Sequence, residues 1–127
     1  MPSLPLTLLP DLLAVCRLAP DAPLPAWVAG PGFVSITRTD EELSITVRQD
    51  RVPGDLVAVG PWRALKVQGP LDFALTGILA ALTAPLAHAG ISLFAIATYD
   101  TDYVLVRAEA LDAAITVLTA AGHRVAV

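Results

Sequence analysis

The chain has 127 residues, 55% of them hydrophobic and only 16% charged, with a formal net charge of −4. This length fits one compact domain or two very small ones sharing a core, and the apolar content excludes disorder. A negative chain without a basic stripe excludes nucleic acid as an expected partner, and so few charges leave apolar surface that a second copy of the chain is expected to cover.

The N-terminus has no positive run ahead of a long apolar stretch, so no signal peptide is expected. Residues 12–18 read as a strand ended by Ala19-Pro20, with Cys16 buried inside it. A lone cysteine forms no internal disulfide, and this usage points to an intracellular, cytoplasmic setting. Between Pro20 and Gly32 there is room for one helical turn around Trp27 and Val28, not for a four-turn helix. Gly30-Pro31-Gly32 is a turn and not a phosphate loop, because Pro31 removes a donor and no Lys-Ser/Thr follows. Residues 34–39 and 42–47 alternate as a hairpin. Residues 49–61 then carry two prolines and two glycines where a helix would be expected to follow.

Residues 64–67 form a short apolar strand ended by Gly69-Pro70. Asp72 is expected to cap a helix whose apolar positions are Leu75, Ile78, Leu79, Leu82 and Leu86, the one-sided stripe of a helix lying on a sheet. Pro85 lacks the N–H that would bond Ala81 and should kink that helix; Gly90 stops it. This apolar stretch is too short to span a bilayer, so no membrane is expected. Residues 92–98 and 102–107 pair as a second hairpin. Residues 109–121 follow as a helix with Leu111, Ala114, Ile115 and Leu118 on one face, stopped by Gly122, and 123–127 read as a final strand.

The order β-α-β-β-α-β places two helices on one face of a four-stranded antiparallel sheet, the ferredoxin-like arrangement. The first half repeats the element order in shortened form. The expected class is therefore α+β, with two tandem ferredoxin-like units over residues 1–61 and 62–127, the first of them shortened.

No arrangement of catalytic groups emerges. His88 and His123 fall at helix ends and are expected to be solvated, and neither has a Ser-His-Asp or Cys-His spacing. Asp100 and Asp102 share a strand face, but two carboxylates are too few for a hard-cation site. No metal, cofactor or enzymatic activity is expected. Trp27 and Trp62 are expected to cover core edges or an interface.

Two runs carry a resemblance: Gly-Pro-Leu-Asp-Phe-Ala-Leu-Thr-Gly-Ile from Gly69 to Ile78, and Gly-Ile-Ser-Leu-Phe-Ala-Ile-Ala-Thr-Tyr-Asp-Thr-Asp-Tyr-Val-Leu-Val from Gly90 to Val106. Over residues 62–125 the chain resembles the tandem ACT proteins of bacteria, the eukaryotic cytosolic arginine sensors and the regulatory domains of aspartate kinases. The resemblance implies a regulatory, amino-acid-binding fold rather than a catalytic one, with units pairing as a homodimer or higher homo-oligomer. It implies ligand contacts from Asp72, Phe73, Leu75 and Thr76 in the strand-to-helix turn, from Ser92 and Leu93, and from Thr98, Tyr99 and Asp102 in the hairpin. The arginine sensors carry an acidic residue where this chain has Leu75, a departure that argues against a guanidinium ligand; this chain also has two units where they have four, so a complete site would need a second copy. An interaction module that keeps the fold without a ligand site is the alternative.

The residue types suit an amino acid. A helix opening offers free N–H groups and partial positive charge to a carboxylate; Ser92 adds a hydroxyl donor, and Asp102 can face an ammonium through a charge-assisted bond. Asp72 as a simple cap, Asp100 as a turn residue and the tyrosines as packing residues are the structural readings of the same positions.

Overall fold

Val, Ile, Leu and Thr fill the extended runs of this chain, and β-branched residues settle readily on a pleated backbone. A computed structural model describes residues 3–69 and 76–127. In chain order the strands and helices are β1 (Pro5–Leu8), β2 (Leu13–Leu18), β3 (Val34–Arg38), β4 (Leu43–Arg48), β5 (Val57–Val67), α1 (Ile78–His88), β6 (Leu93–Ala97), β7 (Asp102–Arg107), α2 (Leu111–Ala120) and β8 (Arg124–Ala126). Two units emerge, Asp11–Trp62 on the one hand and Met1–Pro10 with Arg63–Val127 on the other. Strand β5 gives its first residues to the former and its last to the latter.

In the unit Asp11–Trp62 the strand order is β3-β4-β2-β5, with every pairing antiparallel. That is the ferredoxin-like order. Both helices are replaced by single 3-10 turns, Ala26–Val28 and Gln49–Arg51. Leu43, Ile45 and Val47 alternate along β4 toward one face and are fully buried there, beneath Leu18, Ala22, Trp27, Val28, Val34 and Val52. Irregular chain thus covers the sheet face that a helix would otherwise cover. Strand β5 begins at Val57 rather than at Ala64, passing through the cis Gly60-Pro61 bond. The extended pairing survives the proline because β5 is the edge strand of this unit.

In the other unit the order is β8-β1-β5-β7-β6. Here the expected four-stranded antiparallel sheet is corrected to five strands. Strand β1 stands between β5 and β8, antiparallel to β5 and parallel to β8. Helices α1 and α2 pack on the sheet through Ala81, Leu82, Leu86, Ala114 and Leu118, meeting Leu6, Leu65, Val67, Val104 and Val106. Both helices end alike. Gly90 and Gly122 take left-handed backbone, φ 74° and 100°, and each is followed by a residue whose N–H reaches back to the carbonyl five residues earlier, Ile91 to Leu86 and His123 to Leu118, both at 3.0 Å. This closure satisfies carbonyls that a helix end leaves without partners.

Two helical details differ from expectation. Helix α1 starts at Ile78 with Gly77 at its cap; Asp72, the expected cap, lies outside the described residues. His123 is not solvated: it is 3% exposed and hydrogen-bonded at both ring nitrogens.

Candidate functional site

Strand β5 ends at Val67, and the β6–β7 hairpin turns beside that end. The Thr101 hydroxyl, on a residue only 3% exposed, donates to the Val67 carbonyl at 2.6 Å. Thr98 closes the turn: its N–H donates to Thr101 O at 2.9 Å, and its hydroxyl exchanges bonds with the Thr101 backbone at 3.0 and 3.3 Å. On the other side of β5, the Gln68 N–H donates to Pro5 O at 2.9 Å, and the Thr7 hydroxyl donates to Gln68 Oε1 at 3.2 Å. The chain leaving β5 toward α1 is therefore tied to the hairpin and to β1 at its first residues.

Of the nine candidate residues, Asp72, Phe73 and Leu75 lie outside the described residues. Thr76 is exposed just before α1. Thr98 and Tyr99 are exposed at the hairpin tip, Tyr99 at 82%. Asp102 is half-buried and sits opposite Ala97 across the hairpin. These hairpin residues share the end of the sheet at which β5 stops. Ser92 and Leu93 do not. Leu93 begins β6 at its far end and Ser92 precedes it; at about 3.3 Å per residue the four steps from Leu93 to Ala97 separate them from the hairpin tip by about 13 Å. Leu93 packs against the core and Ser92 is exposed.

Thr101 was not among the candidates, although its hydroxyl ties the hairpin to the end of β5. The β3–β4 hairpin is closed in a similar way. Thr39 holds the β3–β4 turn as Thr98 holds this one: its N–H donates to Glu42 O at 2.9 Å, and its hydroxyl accepts from the N–H groups of Glu41 and Glu42 at 3.1 and 3.2 Å. Beside that turn, Arg38 takes the part of Thr101, donating to the carbonyls of Pro20 and Ala22 in the chain leaving β2. An open groove of about 560 Å³ lies there, lined by Pro20, Asp21, Arg38, Thr39 and Asp40.

Chemically, the hairpin end offers hydroxyls, the two carboxylates of Asp100 and Asp102, and an aromatic ring. Among the described residues no three His, Cys, Asp or Glu side chains cluster as a metal centre requires, and no helix is long and apolar enough to cross a membrane. Cys16 is 1% exposed, and burial pushes its thiol up from its ordinary range.

The ACT domain family matches residues 57–120, and a second family, described as an N-terminal domain, matches residues 11–55. The chain is 31% identical over 120 residues to the bovine (Bos taurus) cytosolic arginine sensor for mTORC1 subunit 1, covering 84% of this chain and 36% of that protein. It thus spans about a third of that relative's length. A crystal structure of a protein from Agobacterium tumefaciens is 40% identical with a TM-score of 0.94, covering 99% of this chain and 94% of the other. The regulatory subunit of aspartate kinase from Thermus flavus shares the fold at a TM-score of 0.66 and 16% identity, covering 91% and 95%. On the family match, which takes in half of its length, this chain belongs to the ACT domain family.

Proposed function

We propose that this chain is a non-catalytic, cytoplasmic regulatory module that binds a free amino acid and acts as a homo-oligomer. The observation that carries the reading is the Thr101–Val67 bond, which sets the hairpin residues Thr98, Tyr99 and Asp102 beside the start of the segment that holds Asp72, Phe73, Leu75 and Thr76. On this reading the opening of α1 receives the ligand carboxylate and Asp102 the ammonium. Ser92 and Leu93, at the far end of β6, meet the ligand of a second copy. Strand β6 has a strand neighbour on one side only among the described residues, and its free edge is where another copy can pair. The sensor and regulatory-subunit relatives support a regulatory role over an enzymatic one.

A thermal-shift screen of the common amino acids tests the reading. Ligand at about 100 times its Kd stabilises a protein by about 2.7 kcal/mol, enough to move the midpoint several degrees. Light scattering after size exclusion should give a dimer or larger. A stable oligomer that responds to no amino acid would instead establish the ligand-free interaction module, which the separation of Ser92 from the hairpin favours.

A further inference from the structure

Proline inside a helix removes one N–H, and the carbonyl four residues earlier loses its partner. In α1 the proline is Pro85 and the deprived carbonyl is that of Ala81, a residue only 1% exposed. A buried carbonyl left without a partner is destabilising. It is not left alone: His123 Nε2 lies 2.9 Å from Ala81 O. The other ring nitrogen, Nδ1, accepts the Leu4 N–H at 3.1 Å. A carbonyl only accepts and an N–H only donates, so these two bonds assign the ring: Nε2 carries the proton and Nδ1 is bare.

Three segments distant in sequence meet at this imidazole. The Gly122 turn delivers His123 from the end of α2. The Leu4 N–H belongs to the residue that leads into β1, and the Leu4 carbonyl accepts the Arg124 N–H at 3.0 Å in the parallel β1–β8 pairing. Ala81 lies in the first turn of α1, where its own N–H makes the first helical bond, to Gly77 O at 2.9 Å. Thr101 holds the carbonyl of Val67 at one end of the segment between β5 and α1, and His123 holds the carbonyl of Ala81 just beyond the other.

We propose that His123 is a positioning residue that substitutes for the helix bond Pro85 cannot make and thereby couples docking of the N-terminal strand to the order of the first turn of α1. When β1 is docked, the Leu4 N–H fixes the ring so that Nε2 faces Ala81. Without that contact the ring is free to turn, and Ala81 O loses the imidazole donor that stands in for the missing helix bond. The link from that turn to sensing rests on the amino-acid reading above; the coupling itself does not.

The test uses the whole chain and no ligand. Nitrogen NMR of the ring should show Nε2 protonated and Nδ1 bare; the opposite tautomer overturns the proposal. Hydrogen exchange supplies the second arm. His123→Phe, which keeps a ring without donor or acceptor, should raise exchange about tenfold at the Leu4 amide and along the first turns of α1. Adding Pro85→Ala restores an N–H for Ala81 O, so in the double variant α1 should return to within about threefold of its protection in Pro85→Ala alone, while Leu4 stays fast. An equal effect of His123→Phe on α1 in both backgrounds overturns the proposal. Should His123→Phe not fold alone, the double variant is expected to fold, and the ring tautomer decides in any case. A failed amino-acid screen would sink the sensing reading and leave these outcomes untouched.

Discussion

Thr101 donates its hydroxyl to the carbonyl of Val67 at 2.6 Å, joining a hairpin tip to the end of a strand 34 residues earlier. Both partners are buried, so water cannot easily replace the lost bond. Thr101→Val keeps the shape of the side chain and removes only the donor. It is expected to cost about 1–3 kcal/mol, read as a lower denaturation midpoint with an unchanged m-value. On the proposed reading it also weakens the amino-acid response. A loss below about 0.5 kcal/mol would show that the hairpin is held by strand pairing alone.

Gly60 and Gly54 make a contrasting pair. A Cβ on Gly60 would lie 2.7 Å from Gln49 Oε1 and 3.0 Å from the backbone oxygen of Leu13; a Cβ on Gly54 would meet nothing within 4 Å. The Gln49 side chain can move aside, but the Leu13 carbonyl is held in the sheet. Gly60→Ala should therefore destabilise by about 1–3 kcal/mol through overpacking. Gly54→Ala, with no positive φ to strain it, should stabilise by about 0.4–1 kcal/mol by restricting the unfolded chain. Equal midpoints for the two variants would count against the close approach at Gly60.

The strands and helices with a clear apolar period were legible from the residues: β2, the two hairpins, α2 and most of α1. The glycines at 90 and 122 were legible as helix stops because a left-handed residue there costs glycine little. What escaped has a common cause, dependence on partners remote in sequence. Strand β1 is four residues long with Pro5 at its start, and nothing local marks it as the strand between β5 and β8. The first half of β5 contains Gly60 and Pro61, which read as punctuation until an edge position accommodates them. His123 looks like an exposed helix-end histidine unless Ala81 and Leu4 are known to face it. Within the candidate site the hairpin pattern was legible, but Thr101 was not, since its acceptor lies 34 residues away.

Burial raises the Cys16 thiol, and the sign of the linkage follows from that direction. An unfolded thiol ionises near its ordinary value of about 8.5. The folded thiol keeps its proton to higher pH, so above about pH 8.5 the unfolded state binds fewer protons than the folded one and stability falls as pH rises. Urea titrations from pH 7 to 10 should show this alkaline loss, and Cys16→Ala should flatten it. At pH 7.5 a thiol-reactive probe should label the native protein at a rate set by unfolding. Labelling as fast as that of a free thiol would place Cys16 outside the core.

Thr98 and Thr39 perform the same turn-closing work in the two units, so substituting each separates turn stability from ligand contact. Thr98→Val and Thr39→Val each remove hydroxyl bonds within an exposed hairpin and should each cost about 0.5–1.5 kcal/mol. Their effects on ligand should differ. The amino-acid-induced midpoint shift should shrink in Thr98→Val, whose hydroxyl holds the turn that leads into Asp102, and persist in Thr39→Val. Loss of the shift in both would mean that the response depends on overall stability rather than on this hairpin. Loss only in Thr39→Val would move the ligand to the groove beside Arg38, where Asp21 and Asp40 supply the carboxylates that Asp102 is proposed to supply here.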